Sequence, residues 1–265
     1  MLENIFNGIL DVRIRGGFWW TFGLTITAID LIGLENLMLY MFDQPDELHQ
    51  LMAFLRDDHL AFAKWAEKEG LLTLNNENDY IGSGSMGYTR DLPGSDWDGH
   101  VRTRDLWLLL ESQETVGVGP AQFEEFVFSY QQALAEHFGK IYYGCCEPLH
   151  SRIHIVKKLK NLAHFSVSPW ADEEIMAKAC GQDLVYSRKP NPTLISTRTF
   201  DEDLIREDLK KTLCIARGKR LEIIMKDVHT LNNEPERLTR WVEIAREVTA
   251  DVKHGVNDSH DTVNC

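Results

Sequence analysis

The stretch Lys140–Pro148, which reads KIYYGCCEP, decides how the rest of the chain is interpreted. It begins with a short apolar run of β-branched and aromatic residues, a composition typical of a buried strand. The run stops at Gly144, where two cysteines and a glutamate follow at once. Pro148 then opens an apolar periodic segment, as proline often does in the first turn of a helix. Thiols and a carboxylate at the carboxyl end of a buried strand predict an α/β enzyme with its site at that end.

Short apolar runs alternate with segments of helical periodicity on both sides of this stretch. Besides the strand that ends at Gly144, we predict strands over Leu71–Leu74, Leu106–Leu110, His164–Val167, Asp183–Tyr186 and Leu221–Met225, and leave a strand over Asp11–Arg15 open. Helices are predicted over Leu34–Phe42, from Asp43 to Gly70, from Gly119, from Pro148, and over Asp172–Cys180, Asp201–Ala216 and Glu234–Thr249. Regular alternation of this kind predicts a parallel sheet with helices outside it.

The expected fold is an α/β fold of the (β/α)8 TIM-barrel type, in which the carboxyl ends of all strands meet at one face. Polar residues follow the predicted strands: Asn75, Glu111, Glu114, Cys145, Cys146, Glu147, Arg188, Lys189, Asp227 and His229. A doubly wound open sheet is the alternative, but no glycine-rich phosphate loop follows any strand. Only six strands are secure, so we expect a barrel that is incomplete at its amino-terminal end. Residues 1–250 are predicted to form this single domain, and residues 251–265 a frayed polar tail.

The composition excludes several functional classes. A net charge of −13 argues against a protein that binds nucleic acid or anionic membranes, because such proteins carry a basic face. Five cysteines without a signal peptide predict a cytoplasmic protein with free thiols. The apolar stretch Gly17–Leu34 is interrupted by polar residues and is interpreted as core. A glycine- and aspartate-rich loop between Asn75 and Asp98 is long enough to be an active-site loop.

The adjacent thiols of Cys145 and Cys146 are the strongest chemical signal. A thiolate is both a metal ligand and a nucleophile, although free cysteines are often only well-packed core residues. Adjacent residues of an extended chain point apart, so one of the two is expected to reach the site, and the alternation does not say which. Glu147 beside them is predicted to be catalytic.

Two further groups of residues offer acid–base or ligand chemistry. Asp227 and His229 are two residues apart after the last strand, so an extended chain turns both to the same side and could present them to zinc. The alternative is a solvated loop. Glu111 and Glu114 directly follow a strand, where one could be a metal ligand or general acid, or both could simply be charges at a helix start.

Substrate contacts are predicted at four strand ends. Arg188 and Lys189 are an anion clamp or a surface basic pair. Trp170 and Tyr143 form an aromatic wall or belong to the core. Asn75, at the end of the first predicted strand, is also placed among the substrate-binding residues.

Together these segments resemble the uroporphyrinogen decarboxylase superfamily, which also contains the zinc-dependent corrinoid methyltransferases. The similarity extends from about Phe18 to Glu247 and is carried by these segments: Gly23–Thr27, Leu34–Met38, Asp43–Met52, Phe123–Val127, Ile141–Glu147, Ser187–Pro192, Asp227 and Glu234–Arg246. Ile141–Glu147 stands where the methyltransferases have a strand ending in His-x-Cys-Gly.

The chain departs from the family pattern at identifiable positions. Cys145 matches the methyltransferase cysteine, but Tyr143 stands where the family has histidine. No cysteine lies near Asp227, where the methyltransferases have their second zinc cysteine. The decarboxylase signature Met-Arg-Gln-Ala-Gly-Arg is absent, and Arg13 and Arg15 do not reproduce it.

The resemblance implies a methyltransferase that moves a methyl group between a corrinoid protein and a thiol or a methoxylated aromatic substrate, as in O-demethylation. The implied zinc ligands are Cys145 with Glu111, Asp227 or His229, and the implied catalytic residues are Glu111, Glu147 and Asp227. The corrinoid would be supplied by a partner protein. A cofactor-free porphyrinogen decarboxylase and a non-catalytic barrel that binds a small molecule are the alternatives.

Overall fold

Helices make up most of the chain before residue 70 in the computed structural model, which describes residues 1–257. They are α1 (Leu2–Phe6), α2 (Thr25–Ile32), α3 (Leu34–Asp43) and α4 (Pro45–Lys68). Leu48, Met52 and Leu55 recur at helical spacing and form the buried stripe of α4. Within residues 1–257 no single helix is long and apolar enough to cross a membrane, and only α2 with α3, bent by 95°, meet that length and composition together.

A β-hairpin and a five-stranded parallel sheet follow. The hairpin consists of β1 (Glu77–Gly82) and β2 (Ser85–Tyr88). The parallel strands are β3 (Trp107–Leu110), β4 (Lys140–Tyr143), β5 (Leu162–Val167), β6 (Val185–Arg188) and β7 (Arg220–Ile223). They lie side by side in chain order, so their carboxyl ends share one edge of the sheet.

Helical segments connect the strands of the sheet. Between β3 and β4 the chain forms α5 (Pro120–Phe123), a π-helical turn (Glu124–Phe128) and α6 (Ser129–Ala135). The later helices are α7 (Ile153–Val156), α8 (Glu173–Cys180), α9 (Thr193–Ser196), α10 (Glu202–Ile215) and α11 (Glu236–Asn257). Asp172 and Asp201 cap α8 and α10, since each side chain accepts a backbone N–H of the first turn.

The two faces of the parallel sheet differ in what covers them. The helix face is apolar, and its side chains belong to the main core: Leu108, Leu110, Ile141, Tyr143, Phe165 and Tyr186. The opposite side, the hairpin face, is covered by the hairpin β1–β2, whose Ile81 packs with Trp107, Leu109 and Tyr142. Because strand residues alternate between faces, His164, Ser166 and Ser187 also lie on the hairpin face.

Glycines allow the hairpin to lie directly on the sheet. Gly82 has φ +147°, and a Cβ at that position would stand 2.7 Å from Leu109 Cδ1. Gly84 has φ +84°, and its Cβ would stand 2.8 Å from Ile224 Cγ2. Both positions therefore combine a backbone conformation that favours glycine with a close approach that excludes a side chain.

The α/β architecture and most of the predicted helices are confirmed, whereas the strand over Leu71–Leu74 is wrong. Leu72 and Leu74 do pack in or against the core, but the segment is irregular. The neighbouring edge of β3 is already occupied, since the side chain of Asn75 bonds to the backbone of Trp107 and Phe22 N–H donates to Leu109 O. No site is left there for pairing.

One question left open is decided, and three smaller expectations need correction. Asp11–Arg15 is not a strand, and the predicted loop between Asn75 and Asp98 contains the hairpin. The expected frayed tail is helical as far as Asn257, and its remainder lies outside the described residues. Cys145, Cys146 and Cys180 are free thiols as predicted, but Cys214 is disulfide-bonded.

Candidate functional site

The loop after β4 is held in place by the carboxylate of Glu147. This carboxylate accepts the backbone N–H of Cys145 at 2.7 Å and of Ser112 at 3.0 Å, so it ties the loops after β4 and β3 together. Ser166 on β5 donates to the carbonyl oxygen of Cys145 at 2.8 Å. The side chain of Cys145 is therefore fixed at the carboxyl edge of the sheet, where the residue is 6% exposed.

Two thiols and one lysine meet at this edge. The Sγ atoms of Cys145 and Cys146 lie 3.6 Å apart. Lys226, in the segment after β7, brings its Nζ to 3.3 Å from Cys145 Sγ and 3.4 Å from Cys146 Sγ. The same ammonium donates to Ser83 Oγ at 3.0 Å and pairs with Asp227 Oδ2 at 3.1 Å. Asp227 Oδ2 lies 3.4 Å from Cys146 Sγ and is a second acceptor for the single proton of that thiol.

The electrostatics of this group favour one thiolate. The hydrogen bond from Cys146 and the charge of Lys226 lower the pKa of Cys145 to about 6, although burial opposes the shift. The same hydrogen bond, together with burial and the charge on Cys145, raises the pKa of Cys146. Burial would lower the pKa of Lys226, but the two sulfurs and Asp227 outweigh it and raise the pKa. Near neutral pH the stable form is a Cys145 thiolate beside a Lys226 ammonium.

A second lysine lies deeper on the hairpin face. Lys189 Nζ donates to Ser187 Oγ and lies 5.6 Å from the centre of the Tyr142 ring. The hydroxyl of Tyr142 donates to the same serine at 3.2 Å. Burial lowers the pKa of Lys189 to about 7, with a smaller contribution from the charge of Lys226, although the charge of Glu222 opposes the shift. No carboxylate of the described residues lies within salt-bridge distance of this buried ammonium.

A buried histidine completes the polar set under the hairpin. His164 Nδ1 lies 3.1 Å from Ser85 Oγ on β2 and 3.8 Å from Glu222 Oε1 on β7. Burial lowers the pKa of His164 to about 4 despite the charge of Glu222, so its ring is neutral at physiological pH. Burying these polar groups costs free energy. Because buried groups with shifted pKa values are common at functional sites, the hairpin face is the candidate site of this sheet.

A pair of buried carboxyl groups lies behind the thiols. Burial, followed by the charges of Glu147 and Glu114, raises the pKa of Glu111 to about 9. Glu111 Oε2 accepts the backbone N–H of Gln113, and its Oε1 is buried without a hydrogen-bond partner. Burial also raises the pKa of Glu147, against the backbone hydrogen bonds it accepts. This side of Glu111 faces Gly23, where a Cβ would stand 2.6 Å from Oε1.

Several predicted substrate contacts lie away from the thiols. Asn75 closes the edge of β3 through Trp107, with bonds of 2.9 and 3.0 Å. Tyr143 is fully buried in the core on the helix face, where its hydroxyl donates to Gln131 Oε1 at 2.6 Å. Trp170 is 63% exposed in the turn after β5. None of these three residues is brought to the thiol–lysine group.

The predicted anion clamp is divided between the two sides of the sheet. Arg188 points to the helix side, where it pairs with Glu173 Oε2 at 3.0 Å and Asp208 Oδ1 at 3.3 Å. Its charge is thus already neutralised by protein carboxylates, and acidic side chains outnumber basic ones around the adjoining cavity. Of the two residues predicted as the clamp, only Lys189 lies on the hairpin face.

The predicted zinc ligands do not converge on one point. Cys145 and Asp227 both contact the ammonium of Lys226, so a lysine nitrogen takes the place between them that a metal ion would need. Glu111 faces Gly23, and His229 is exposed. Within residues 1–257 no group of three or more histidine, cysteine, aspartate or glutamate side chains is arranged to hold a metal ion. The ligand set does not fit zinc unless Lys226 is displaced, and zinc stays a prediction.

The residues that sequence reasoning missed come from two places. Lys226 directly precedes Asp227 after β7, and the same strand-end rule that selected Asp227 could have selected it. Ser83 and Ser85 belong to a hairpin that was predicted as a loop. His164 and Tyr142 lie within strands. The alternation of side chains there does not tell whether a face of the sheet is polar or belongs to the apolar core.

Comparisons with protein-family models and with curated proteins found no match. The resemblance to the uroporphyrinogen decarboxylase superfamily therefore rests on the sequence segments that carry it. The chemistry of the site is argued from the thiols, the lysines and the buried carboxyl groups themselves.

Proposed function

We propose that this chain is an α/β enzyme that transfers a methyl group, with the thiolate of Cys145 as the reacting nucleophile. The observation that carries the proposal is the 3.3 Å contact between Cys145 Sγ and Lys226 Nζ at the carboxyl edge of the parallel sheet. Thiolate is the nucleophilic form of cysteine, and an adjacent ammonium stabilises it. Carboxyl edges of parallel strands are where α/β enzymes hold their reacting groups.

In the proposed step, a lone pair on Cys145 Sγ forms a bond to the methyl carbon while the bond from that carbon to its donor breaks. The electron pair of the broken bond stays with the donor, so the products are a methyl thioether and the demethylated donor. No oxidant or reductant is consumed. Lys226 stabilises the thiolate before the step, and Asp227 stays paired with Lys226 after the sulfur has lost its charge.

The donor class follows from Lys189 and from the family resemblance. A buried ammonium without a carboxylate partner is costly, and an acidic substrate would supply that partner. The resemblance implies methoxylated aromatic compounds or a methylated corrinoid protein as donors. A methoxylated aromatic acid satisfies both arguments, with its carboxylate toward Lys189 and its methyl group toward Cys145.

The finer architecture that we propose is the (β/α)8 barrel. It is supported by the sequential order of the five parallel strands, whose carboxyl ends share one edge. A crystal structure in which further parallel strands continue this order into a closed ring is the expected result. A sheet whose outer edge at β7 stays open would contradict the barrel.

Methyl transfer is tested by peptide mass analysis of the purified protein. We expect incubation with methylcobalamin, or with a methoxybenzoate labelled in its methyl group, to add one methyl group to Cys145. The matched variants are Cys145→Ala, which should accept no methyl group, and Cys146→Ala, which should still accept it. Methylation that persists in Cys145→Ala, or none from either donor in the wild type, would contradict the proposal.

A second candidate function is a cofactor-free decarboxylation of a porphyrinogen-like acid. The observation that favours it is the presence of two buried or half-buried ammonium groups, Lys189 and Lys226, on the same side of the sheet. Release of carbon dioxide from uroporphyrinogen that persists in Cys145→Ala and is lost in Lys189→Met would support this candidate over methyl transfer.

A further inference from the structure

Cys145 and Cys146 form a pair of neighbouring free thiols whose Sγ atoms are 3.6 Å apart. Neighbouring side chains of an extended chain normally point apart, so this approach is a property of the local loop. Gly144, with φ +98°, immediately precedes the pair, and Glu147 holds the Cys145 N–H from the other side. The two sulfurs are thus already placed for reaction with one another.

We propose that these thiols are a redox modification site, which a hydroperoxide converts into a disulfide between adjacent residues. In the first step Cys145 Sγ attacks one peroxide oxygen, the O–O bond breaks, and the leaving oxygen takes up a proton as an alcohol or as water. Cys145 is then a sulfenic acid. In the second step Cys146 Sγ attacks Cys145 Sγ, the S–O bond breaks, and water leaves. Two thiols and one hydroperoxide give a disulfide, an alcohol and water.

The residues around the thiols match the demands of both steps. Lys226 Nζ is within 3.3 and 3.4 Å of the two sulfurs, so it stabilises negative charge on the attacking sulfur in either step. Asp227 Oδ2 lies 3.4 Å from Cys146 Sγ and can receive the proton that Cys146 loses. Cys145, which attacks first, is 6% exposed, and Cys146 beside it is partly exposed, so a small peroxide would approach Cys145 past Cys146.

The disulfide formed in this way is expected to be readily reversible. Adjacent Cα atoms are about 3.8 Å apart across a trans peptide bond, below the range of about 4.4–6.8 Å found in ordinary disulfides. Strained disulfides are more easily reduced, and reversibility is typical of regulatory ones. Oxidation also removes the thiolate of Cys145, so it would switch off methyl transfer; this regulatory consequence rests on the proposed function, whereas the modification does not.

The experiment treats the full chain with hydrogen peroxide and maps its peptides by mass without prior reduction. The expected result is that the peptide containing residues 145 and 146 loses two hydrogens and recovers them with dithiothreitol. In Cys146→Ser, and in Cys146→Ala as a second variant, the reaction should stop at Cys145 sulfenic acid, which dimedone labels. Cys180→Ser is the matched control, because Cys180 is a buried free thiol away from this site.

Each outcome of this experiment decides the matter. Loss of two hydrogens in the wild type, with dimedone label on Cys145 only when Cys146 is replaced, supports the site. An unmodified pair, or oxidation of Cys180 at the same rate, overturns it. Failure of the proposed function is separate: if the disulfide forms but Cys145 never accepts a methyl group, the redox site stands and the methyltransferase proposal fails.

Discussion

The helix face and the hairpin face of the parallel sheet are both buried, but the hairpin face holds several polar side chains among its apolar ones. On the helix face, Tyr143 and Phe165 are fully buried and belong to the main core. On the hairpin face, Lys189 and His164 are buried with serine hydroxyls as hydrogen-bond partners, and burial shifts the pKa of each toward its neutral form. Apolar packing accounts for the first face, whereas the second costs stability. Residues kept at such a cost are expected where chemistry needs them.

Substitutions at the neighbouring residues 188 and 189 should give the largest difference in stability between the two faces. Arg188→Leu should destabilise the protein by about 3–5 kcal/mol, because it leaves the buried carboxylate of Glu173 and the half-buried carboxylate of Asp208 without their partner. Lys189→Met should instead stabilise it at pH 6, by up to about 5 kcal/mol, because a buried cation is removed. Urea denaturation measures both free energies of unfolding. Equal losses in both variants would contradict the difference between the faces.

The stability of the protein should also depend on pH, and the lowered pKa of Lys189 fixes the direction of that dependence. The pKa of Lys189 falls from its ordinary value of 10.5 to about 7 on folding, so between these pH values the unfolded chain binds more protons. The contribution of Lys189 to stability therefore rises as the pH increases from about 7 to about 10.5, and its full penalty is present below pH 7. Lys189→Met should lose this rise, as followed by urea denaturation at several pH values.

The contact between hairpin and sheet is tested by enlarging a glycine. Gly82→Ala should destabilise the fold by about 1–3 kcal/mol more than Gly99→Ala, because the new Cβ meets Leu109. Gly99 is the matched control, since it also has positive φ but nothing lies within 4 Å of an added Cβ. Thermal or urea unfolding gives both values. A Gly82 variant no less stable than the Gly99 variant would show that the hairpin does not rest on β3.

The smallest effect concerns one hydrogen bond under the hairpin. Ser85→Ala should cost about 1 kcal/mol, because His164 Nδ1 loses its buried partner at 3.1 Å. Ser129→Ala serves as the control, since Ser129 is exposed and bonds only to a backbone carbonyl in its own helix. The difference in urea midpoint between the two variants measures the bond. No difference would mean that His164 is not held by the hairpin.

The sequence predicts the parallel sheet well because its strands are short, apolar and separated by clear helices. Lys140–Tyr143 and Leu162–Val167 lie almost where periodicity places them. The hairpin was missed because Ser83, Gly84 and Ser85 have turn composition, and only contact with the sheet makes the flanking residues strands. Leu71–Leu74 failed for the opposite reason, since an apolar run has no strand to pair with when Asn75 occupies the edge.

For the site, the strand-end rule selected Cys145 and Asp227, and the structure places both side chains around the ammonium of Lys226. It could not reveal that Lys226 lies between them, because the rule gives a position along the edge and not the direction of a side chain. The same limit explains Arg188 and Lys189, which adjoin in sequence and point to opposite sides of the sheet. The alternation of side chains along a strand predicts that the two residues point to opposite sides, but it does not say which of them lies on the hairpin face.

The state of Cys145 is measured by its rate of alkylation with iodoacetamide as a function of pH, quantified on the peptide that carries it. The rate should rise with pH through a midpoint of about 6, because the thiolate is the reactive form and Lys226 with Cys146 stabilises it. In Lys226→Gln the midpoint should move up toward the ordinary value of about 8.5. A wild-type midpoint near 8.5 that Lys226→Gln leaves unchanged would contradict a thiolate at the site.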